Sequence, residues 1–277
     1  MNLSLAPRRP EAILGEYQHR FQIYARFATE MTSLLQRLIE PTASAIHSIT
    51  GRPKTAESLS LKLQRHPSAY QSLDEITDLA GIRLITYFAD DVDRIAELVQ
   101  EEFEVDTDNS VDKRAILDPD RFGYLSVHYV VSLGESRIDL PEYRRFRDLK
   151  AEIQIRSILQ HSWAEIHHDL GYKTRNAVPR QAQRAFSRIA GLLELADQEF
   201  SRLRDTLHGY RAALDSDIQV SPGEVTIDAD SLDRFIRASP LVARIDVRWP
   251  RLLQSSWIGL YYLVLPQATP TTFSCLT

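Results

Sequence analysis

The stretch Lys150-Ala151-Glu152-Ile153-Gln154-Ile155-Arg156-Ser157 alternates apolar and polar side chains without a break. Successive side chains of a strand point to opposite faces. Ala151, Ile153 and Ile155 therefore form an apolar back, and Glu152, Gln154 and Arg156 a polar front. Read alone, this is an edge strand with a solvated face. Its neighbours change that reading. Two further strands carry reactive polar residues, and a Gly51-Arg52-Pro53-Lys54 turn precedes them.

The first of these strands is expected at Gly81–Phe88, with Asp78 just before its start. The second is expected at Gly123–Leu133, where Tyr124, Ser126 and His128 alternate with Leu125, Val127 and Tyr129. Between them, Asp91–Phe103 has the spacing of an amphipathic helix, with Val92, Ile95, Leu98 and Val99 inward. Glu104–Arg121 is polar and rich in Asp, and reads partly as loop. Gly134–Phe146 is a connection, and Arg144, Arg145 and Arg147 form a basic cluster.

Outward on the N-terminal side, Glu11–Glu40 reads as a long amphipathic helix ended by Pro41. A second helix is expected to about Ile49, then a turn at Gly51 and Pro53. Thr55–His66 reads as a helix with Thr55 as N-cap. Its Ser58, Lys62 and Arg65 share a face. Pro67 stops it, and Asp74–Ala80 reads as a short helix. On the C-terminal side, Ile158–Leu170 reads as a helix closed by Gly171. A longer helix starts at Pro179 and reaches about His208, with Gly209 just past it. Beyond Ala212 the signal weakens to a turn at Ser221-Pro222-Gly223, a short helix at Ser231–Ala238 and a short strand at Ile245–Trp249. Helices around polar-faced strands predict an α/β (α+β) fold with a mixed β-sheet flanked by helices. The expected organisation is a helical segment over 1–45, a core over 46–178, a helix over 179–210 and an extension over 211–277.

The composition of the 277 residues, 43% apolar and 26% charged, is that of an ordinary globular protein. The net charge of -5 argues against non-selective nucleic-acid binding, although a local basic cleft is compatible with it. The single cysteine, Cys275, excludes a disulfide framework within the chain and fits a reducing compartment. The first ten residues lack the apolar run of a secretory signal. The longest apolar run, Trp257–Leu265, is too short to span a bilayer as a helix. A cytoplasmic protein without a membrane partner is expected.

The polar residues define a chemistry. Mg2+ takes oxygen ligands, commonly one or two carboxylates plus substrate phosphates. Asp78 and Glu152, on neighbouring strands, offer two carboxylates, of which one is free to act as a general base. Arg52, Lys54, Lys62, Arg65 and Arg83 surround them with positive charge suited to a phosphate-rich ligand. Tyr124, at a strand start, is placed to stack on a nucleobase, or equally to pack over the sheet. No P-loop, Gly-x-Gly-x-x-Gly or Cys/His metal spacing occurs. His167, His168 and Asp169 are adjacent on a helix and point in different directions, so they read as surface residues rather than as a metal cluster.

The order Gly51-Arg52-Pro53-Lys54…Ser58, Asp78-Leu79-Ala80-Gly81-Ile82-Arg83, Gly123-Tyr124-x-Ser126-x-His128, Glu152-Ile153-Gln154-Ile155-Arg156 and Tyr172-Lys173 resembles the synthetase domain of RelA/SpoT-type alarmone synthetases, over roughly Ile46 to Lys173. The resemblance implies a nucleotidyltransferase-like fold and a GTP/GDP pyrophosphokinase of the stringent response. Such an enzyme moves the β,γ-pyrophosphate of ATP to the ribose 3'-hydroxyl of GDP or GTP with Mg2+, giving (p)ppGpp. It implies that Arg52 and Arg83 sandwich adenine, and that Lys54, Ser58, Lys62 and Arg65 hold the ATP phosphates. Asp78 ligates Mg2+, and Glu152 takes the hydroxyl proton or shares the metal. Tyr124 stacks on the acceptor base, His128, Gln154 and His161 position acceptor or phosphate groups, and Lys113 reaches acceptor phosphates. The Asp120-Arg121-Phe122 loop departs from the family pattern, and Arg121 is the expected substitute there. Too few residues precede Arg52 for a hydrolase domain, so a small stand-alone synthetase is expected.

Small members of this family include toxins that pyrophosphorylate the 3' end of tRNA and makers of adenosine alarmones. These stay open as alternatives, as do an antitoxin or regulatory partner and a homo-oligomer through the terminal helices. A catalytically inactive nucleotide-sensing module is the alternative from another class.

Overall fold

The computed structural model describes residues 10–66, 68–112, 126–173 and 179–238. The chain divides into two compact units, Met1–Ser201 and Arg202–Thr277.

The first unit is built on a six-stranded mixed sheet. Its elements are α1 (Pro10–Ile39), β1 (Ile46–Pro53), α2 (Ala56–Arg65), β2 (Ala80–Thr86), α3 (Ala89–Glu102), β3 (Glu104–Val105), β4 (Val111–Asp112), β5 (Val127–Ser132), α4 (Glu135–Ile138), β6 (Ala151–Ser157), α5 (Ile158–Lys173) and α6 (Arg180–Val220), which starts in this unit. The strand order is β1-β2-β6-β5-β3, with β4 also on β5. β6 lies between β2, which it pairs in parallel, and β5, which it pairs antiparallel. The opening stretch is thus an interior strand, not an edge. Its back residues Ala151, Ile153 and Ile155 are fully buried in one core with Ile82 and Leu84 of β2, Val92, Ile95 and Val99 of α3, and Tyr17, Phe27 and Leu35 of α1. Covering one sheet face with α1 and α3 leaves the polar front open.

α1 shows how sequence makes the scaffold. Pro10 stands at its first position, where a missing N–H is harmless. Ile13, Tyr17, Tyr24, Phe27, Ala28, Met31, Leu34, Leu35 and Ile39 recur every three or four residues and are all buried. β1 passes so close to this helix that a Cβ on Gly51 would stand 2.6 Å from the Ala28 carbonyl oxygen and collide with Thr32 Oγ1. Gly51 is there for close approach, not for a turn.

The structure corrects several expectations. Ile46–Pro53 is a strand, not a helix followed by a turn. Ile46 and Ile49 mimic helical spacing, but a bulge between Ile46 and Ser48 resets the alternation. Pro53 ends an edge strand, where an absent N–H costs no ladder bond. Asp74–Ala80 is not a helix. A single 3-10 turn spans Leu73–Glu75, and Ala80 already belongs to β2. The polar Glu104–Arg121 stretch adds the two-residue strands β3 and β4. α5 runs through Gly171 to Lys173, and α6 through Gly209 to Val220. A helical glycine costs only about 1 kcal/mol, which a long helix absorbs. The expected strand start at Gly123–Leu125 and the strand at Ile245–Trp249 lie outside the described residues.

α6 is tied to the sheet by polar contacts. Ser157 Oγ, at the end of β6, donates to Asp197 Oδ2 at 2.6 Å, with both residues buried. Ser201 Oγ donates to Asp90 Oδ1 at 2.8 Å. Its Ile189, Leu192 and Phe200 side chains are exposed. In the second unit, Leu214, Ile218 and Val225 form a small core. There α7 (Ala229–Ala238) is closed by a reciprocal cap: Ser231 N–H donates to Asp228 Oδ1 at 2.8 Å, and Asp228 N–H to Ser231 Oγ at 2.9 Å.

Two stability predictions follow from these contacts. Gly51→Ala is expected to cost about 1–3 kcal/mol, since the obstructing atom is a helix carbonyl that cannot swing away. A thermal melt with an unchanged midpoint would contradict this. Burial pushes the Asp197 carboxyl up to about 6, against the hydrogen bond from Ser157 that lowers it. The folded chain then holds this proton more tightly than the unfolded chain, so stability falls as pH rises from about 4 to 6. Asp197→Asn should flatten that decline and stabilise the protein above pH 6 by on the order of 2 kcal/mol in urea titrations.

Candidate active site

The open front of the sheet is a cleft of ≈ 330 Å³ lined by Arg52, Lys54, Ser58, Asp78, Arg83, Glu152 and Gln154, with backbone from Gly51 and Gly81. Register explains the gathering. Gly81 lies opposite Arg52 on β1 and Glu152 on β6, and Arg83 lies opposite Gln154. Ser58 comes from the first turn of α2, whose N-cap Thr55 accepts the Ser58 N–H at 3.1 Å.

Asp78 is held by two lysines. Lys54 Nζ donates to its Oδ2 at 2.7 Å and Lys62 Nζ to its Oδ1 at 2.8 Å. Burial pushes the Asp78 carboxyl up, but the two ammonium groups outweigh it and hold the group below its ordinary value. Lys62 also sits 5.3 Å above the Tyr70 ring. Lys54 is fixed from behind. The buried Tyr17 hydroxyl donates to the Lys54 carbonyl oxygen, and Lys54 N–H donates to Leu79 O at 2.8 Å. Burial, with Tyr24 and Asp78 nearby, pushes Tyr17 up to about 12, so its hydroxyl stays a donor.

Glu152 belongs to a second network. Its Oε1 lies 2.9 Å from His128 Nδ1, and its Oε2 accepts from Gln154 Nε2 at 2.9 Å. Arg156 Nη2 in turn donates to Gln154 Oε1 at 2.5 Å. Arg156 is 4% exposed and orients the Gln154 amide rather than meeting a ligand. Burial raises the Glu152 carboxyl, the His128 and Gln154 contacts lower it, and the Asp78 charge raises it slightly; the balance falls below the ordinary value. Both carboxylates therefore ionise more readily than usual, and Glu152 does so despite the nearby Asp78 charge.

On α5, His161 Nδ1 faces Glu165 Oε1 at 3.9 Å, and Arg83 Nη1 reaches the same oxygen at 3.0 Å. Burial, then Arg156, lowers His161; Glu165 opposes this, and Arg83 and His47 add to it. His167 stacks on Trp163 at 4.7 Å, and among the described residues no cluster of metal-ligating side chains occurs.

The structure thus brings Arg52, Lys54, Ser58, Lys62, Asp78, Arg83, His128, Glu152, Gln154 and His161 around or beside one cleft. Arg65 is exposed at the end of α2 and does not line it. Lys113, Arg121 and Tyr124 lie outside the described residues. The basic Arg144-Arg145-Arg147 cluster faces acidic and backbone oxygens. Arg147 pairs with Glu135 and Asp139, Arg144 donates to Asp139 O at 3.3 Å, and Arg145 lies 4.0 Å from Glu30. Tyr17 and Glu165 are the supports that the sequence pattern alone does not reveal. A fit for Mg2+ rests on the donor set: two ionised carboxylates lining one cleft beside cations suited to phosphate.

Residues 51–177 match the family model described as a region found in RelA / SpoT proteins. The chain is 28% identical over 177 residues to GTP pyrophosphokinase YjbM of Bacillus subtilis, covering 63% of this chain and 79% of that protein. It is 25% identical over 198 residues to GTP pyrophosphokinase YwaC of the same organism, covering 68% and 90%. The crystal structure of small alarmone synthetase 1 from Bacillus subtilis superposes with a TM-score of 0.57 at 25% identity, covering 70% of this chain and 99% of that one.

An acid titration tests the electrostatics of the cleft. Asp78 and Glu152 ionise more readily in the folded chain than their ordinary 3.8 and 4.5. Their stabilisation is present above those values and is lost as pH falls through the lower folded ones. Glu152→Gln should therefore lose less stability than wild type on acidification from about pH 5 to 3. Parallel urea-titration curves for the two proteins in that window would refute the network.

Proposed function

We infer that this chain, whose residues 51–177 belong to the RelA/SpoT family, is an ATP-dependent pyrophosphokinase that transfers the β,γ-pyrophosphate of ATP to the ribose 3'-hydroxyl of GDP or GTP, making (p)ppGpp. The observation that carries this reading is the pairing of two ionised carboxylates, Asp78 and Glu152, in one cleft with Arg52, Lys54, Lys62 and Arg83.

In the proposed reaction the acceptor 3'-oxygen bonds to the β-phosphorus, and the bond from that phosphorus to the AMP oxygen breaks. AMP leaves, and the hydroxyl proton goes to Glu152. The lowered pKa makes Glu152 a weak base, which suits a loose phosphoryl-transfer transition state in which the nucleophile's proton is lost late. Orientation then matters more than basicity, and His128 and Gln154 hold both Glu152 oxygens in place. Arg52 and Arg83 take the adenine by guanidinium stacking. Ser58, Lys54 and Lys62 take the phosphates. When phosphate oxygens arrive, the two lysines have a second set of anions to contact, which frees Asp78 lone pairs. Asp78, with Glu152 beside it, would hold Mg2+, which neutralises phosphate charge when bound.

Lys113, Arg121, Tyr124, His128, Gln154 and His161 form the proposed acceptor side, and Arg65 an outer phosphate contact. The acidic partners of Arg144, Arg145 and Arg147 weigh against that cluster as a tRNA-backbone surface. No described helix is long and apolar enough to cross a membrane. The exposed Ile189, Leu192 and Phe200 support assembly of copies through the C-terminal helix.

The test is transfer of label from ATP, with Mg2+, to GDP, GTP, ATP or bulk tRNA. Label is expected in a guanosine nucleotide. Asp78→Asn and Glu152→Gln are each expected to lower the rate by about 10²–10³-fold, with thermal midpoints showing that the fold survives. Label found in tRNA instead, or wild-type rates in either variant, would overturn the reading.

A further inference from the structure

Glu165 lies one turn after His161 on α5 and by sequence is an ordinary solvated helix residue. In the folded chain its Oε1 receives the Arg83 guanidinium at 3.0 Å and stands 3.9 Å from His161 Nδ1. Arg83 comes from the middle of β2, so the pair joins a helix to the floor of the cleft. Both side chains remain partly exposed, at 36% for Arg83 and 50% for Glu165. An exposed ion pair of this kind contributes little to folding. Its effect must be sought in what it does to Arg83.

A guanidinium has two recognition surfaces. Its edge donates hydrogen bonds, and its flat face stacks on aromatic rings. Glu165 pairs with the Nη1 end of the Arg83 guanidinium, whose flat face is the surface a base would use. A free arginine side chain has many rotamers, and a group fixed before its ligand arrives has less of that freedom to lose on binding. Arg52, the other arginine lining the cleft, sits on the edge strand β1 and, among the described residues, has no carboxylate partner of this kind.

We propose that Glu165 is the positioning residue of the donor-base subsite: its carboxylate pairs with Arg83 Nη1 and restrains the guanidinium that stacks on the purine of ATP. This rests on the reading of the cleft as an ATP site. The same oxygen faces His161, so one carboxylate sits between a donor-side arginine and an acceptor-side histidine. Among the described residues, His161 Nδ1 is buried without a hydrogen-bond partner, and Glu165 is the anion nearest to it.

Calorimetric binding of a non-hydrolysable ATP analogue with Mg2+, using the full chain, tests the proposal. Glu165→Gln is expected to weaken binding about tenfold, equivalent to ~1.4 kcal/mol, and Glu165→Asp to recover part of that. In an Arg83→Ala background, Glu165→Gln should add less than about twofold, because the two residues act as one unit. In transfer assays the same variant should raise KM for ATP while kcat stays within about twofold. Wild-type affinity in Glu165→Gln, an equal loss in both backgrounds, or no analogue binding by the wild-type chain would each overturn the proposal. A wild-type chain that binds the analogue yet transfers no label defeats the pyrophosphokinase reading, while the binding cycle still decides the role of Glu165.

Discussion

A strand in the middle of a sheet cannot leave its polar side chains unanswered, and β6 answers its own. Arg156 donates to Gln154, Gln154 donates to Glu152, and Glu152 meets His128 from the neighbouring strand. Residues two apart on one strand share a face, so the alternation that buries Ile153 and Ile155 also lines up this chain of hydrogen bonds. The core and the polar front are therefore one constraint. A register slip of a single residue would bury Glu152 and Gln154 under α1 and α3, expose the isoleucines and break the whole hydrogen-bonded chain.

The other side of the cleft is built differently. Asp78 precedes β2, and its two lysines come from the end of β1 and from α2. Each partner of this triad rests on a separate element, and Lys54 is pinned through its backbone by Tyr17 and Leu79. Lysine ammonium groups are flexible point charges and can move from a carboxylate to a phosphate without changing the fold. The Glu152 network, by contrast, is neutral-to-charged and interlocked. A cleft with one exchangeable wall and one rigid wall suits a ligand rich in phosphate on the first side and a hydroxyl to be oriented on the second.

Local alternation and capping made much of this legible. The polar front of 150–157, the Thr55 cap and the stripe of α1 rest on neighbours within a few residues, and the structure contains each of them. What failed was punctuation. Gly51 and Pro53 read as a turn, yet Gly51 answers the approach of α1 and Pro53 ends an edge strand. Gly171 and Gly209 read as stops, but packing and helix length carried the backbone through them. Glu165 and Tyr17 were illegible for another reason. Glu165 and Tyr17 each act on a residue of a distant element, and no periodicity records such a pairing.

The difference between these two kinds of residue has a physical basis. A residue that packs is selected by a face, and faces repeat, so many positions report the same fact. A residue that orients another is selected by one distance and one angle. Exposed pairs such as Arg83 with Glu165 add little stability, and a fold would persist without them. Their presence at the mouth of a cleft is then better understood through the ligand than through the fold. A guanidinium restrained by an ion pair has lost part of the freedom that a stacked base would otherwise take from it, and the sheet beneath needs no such restraint.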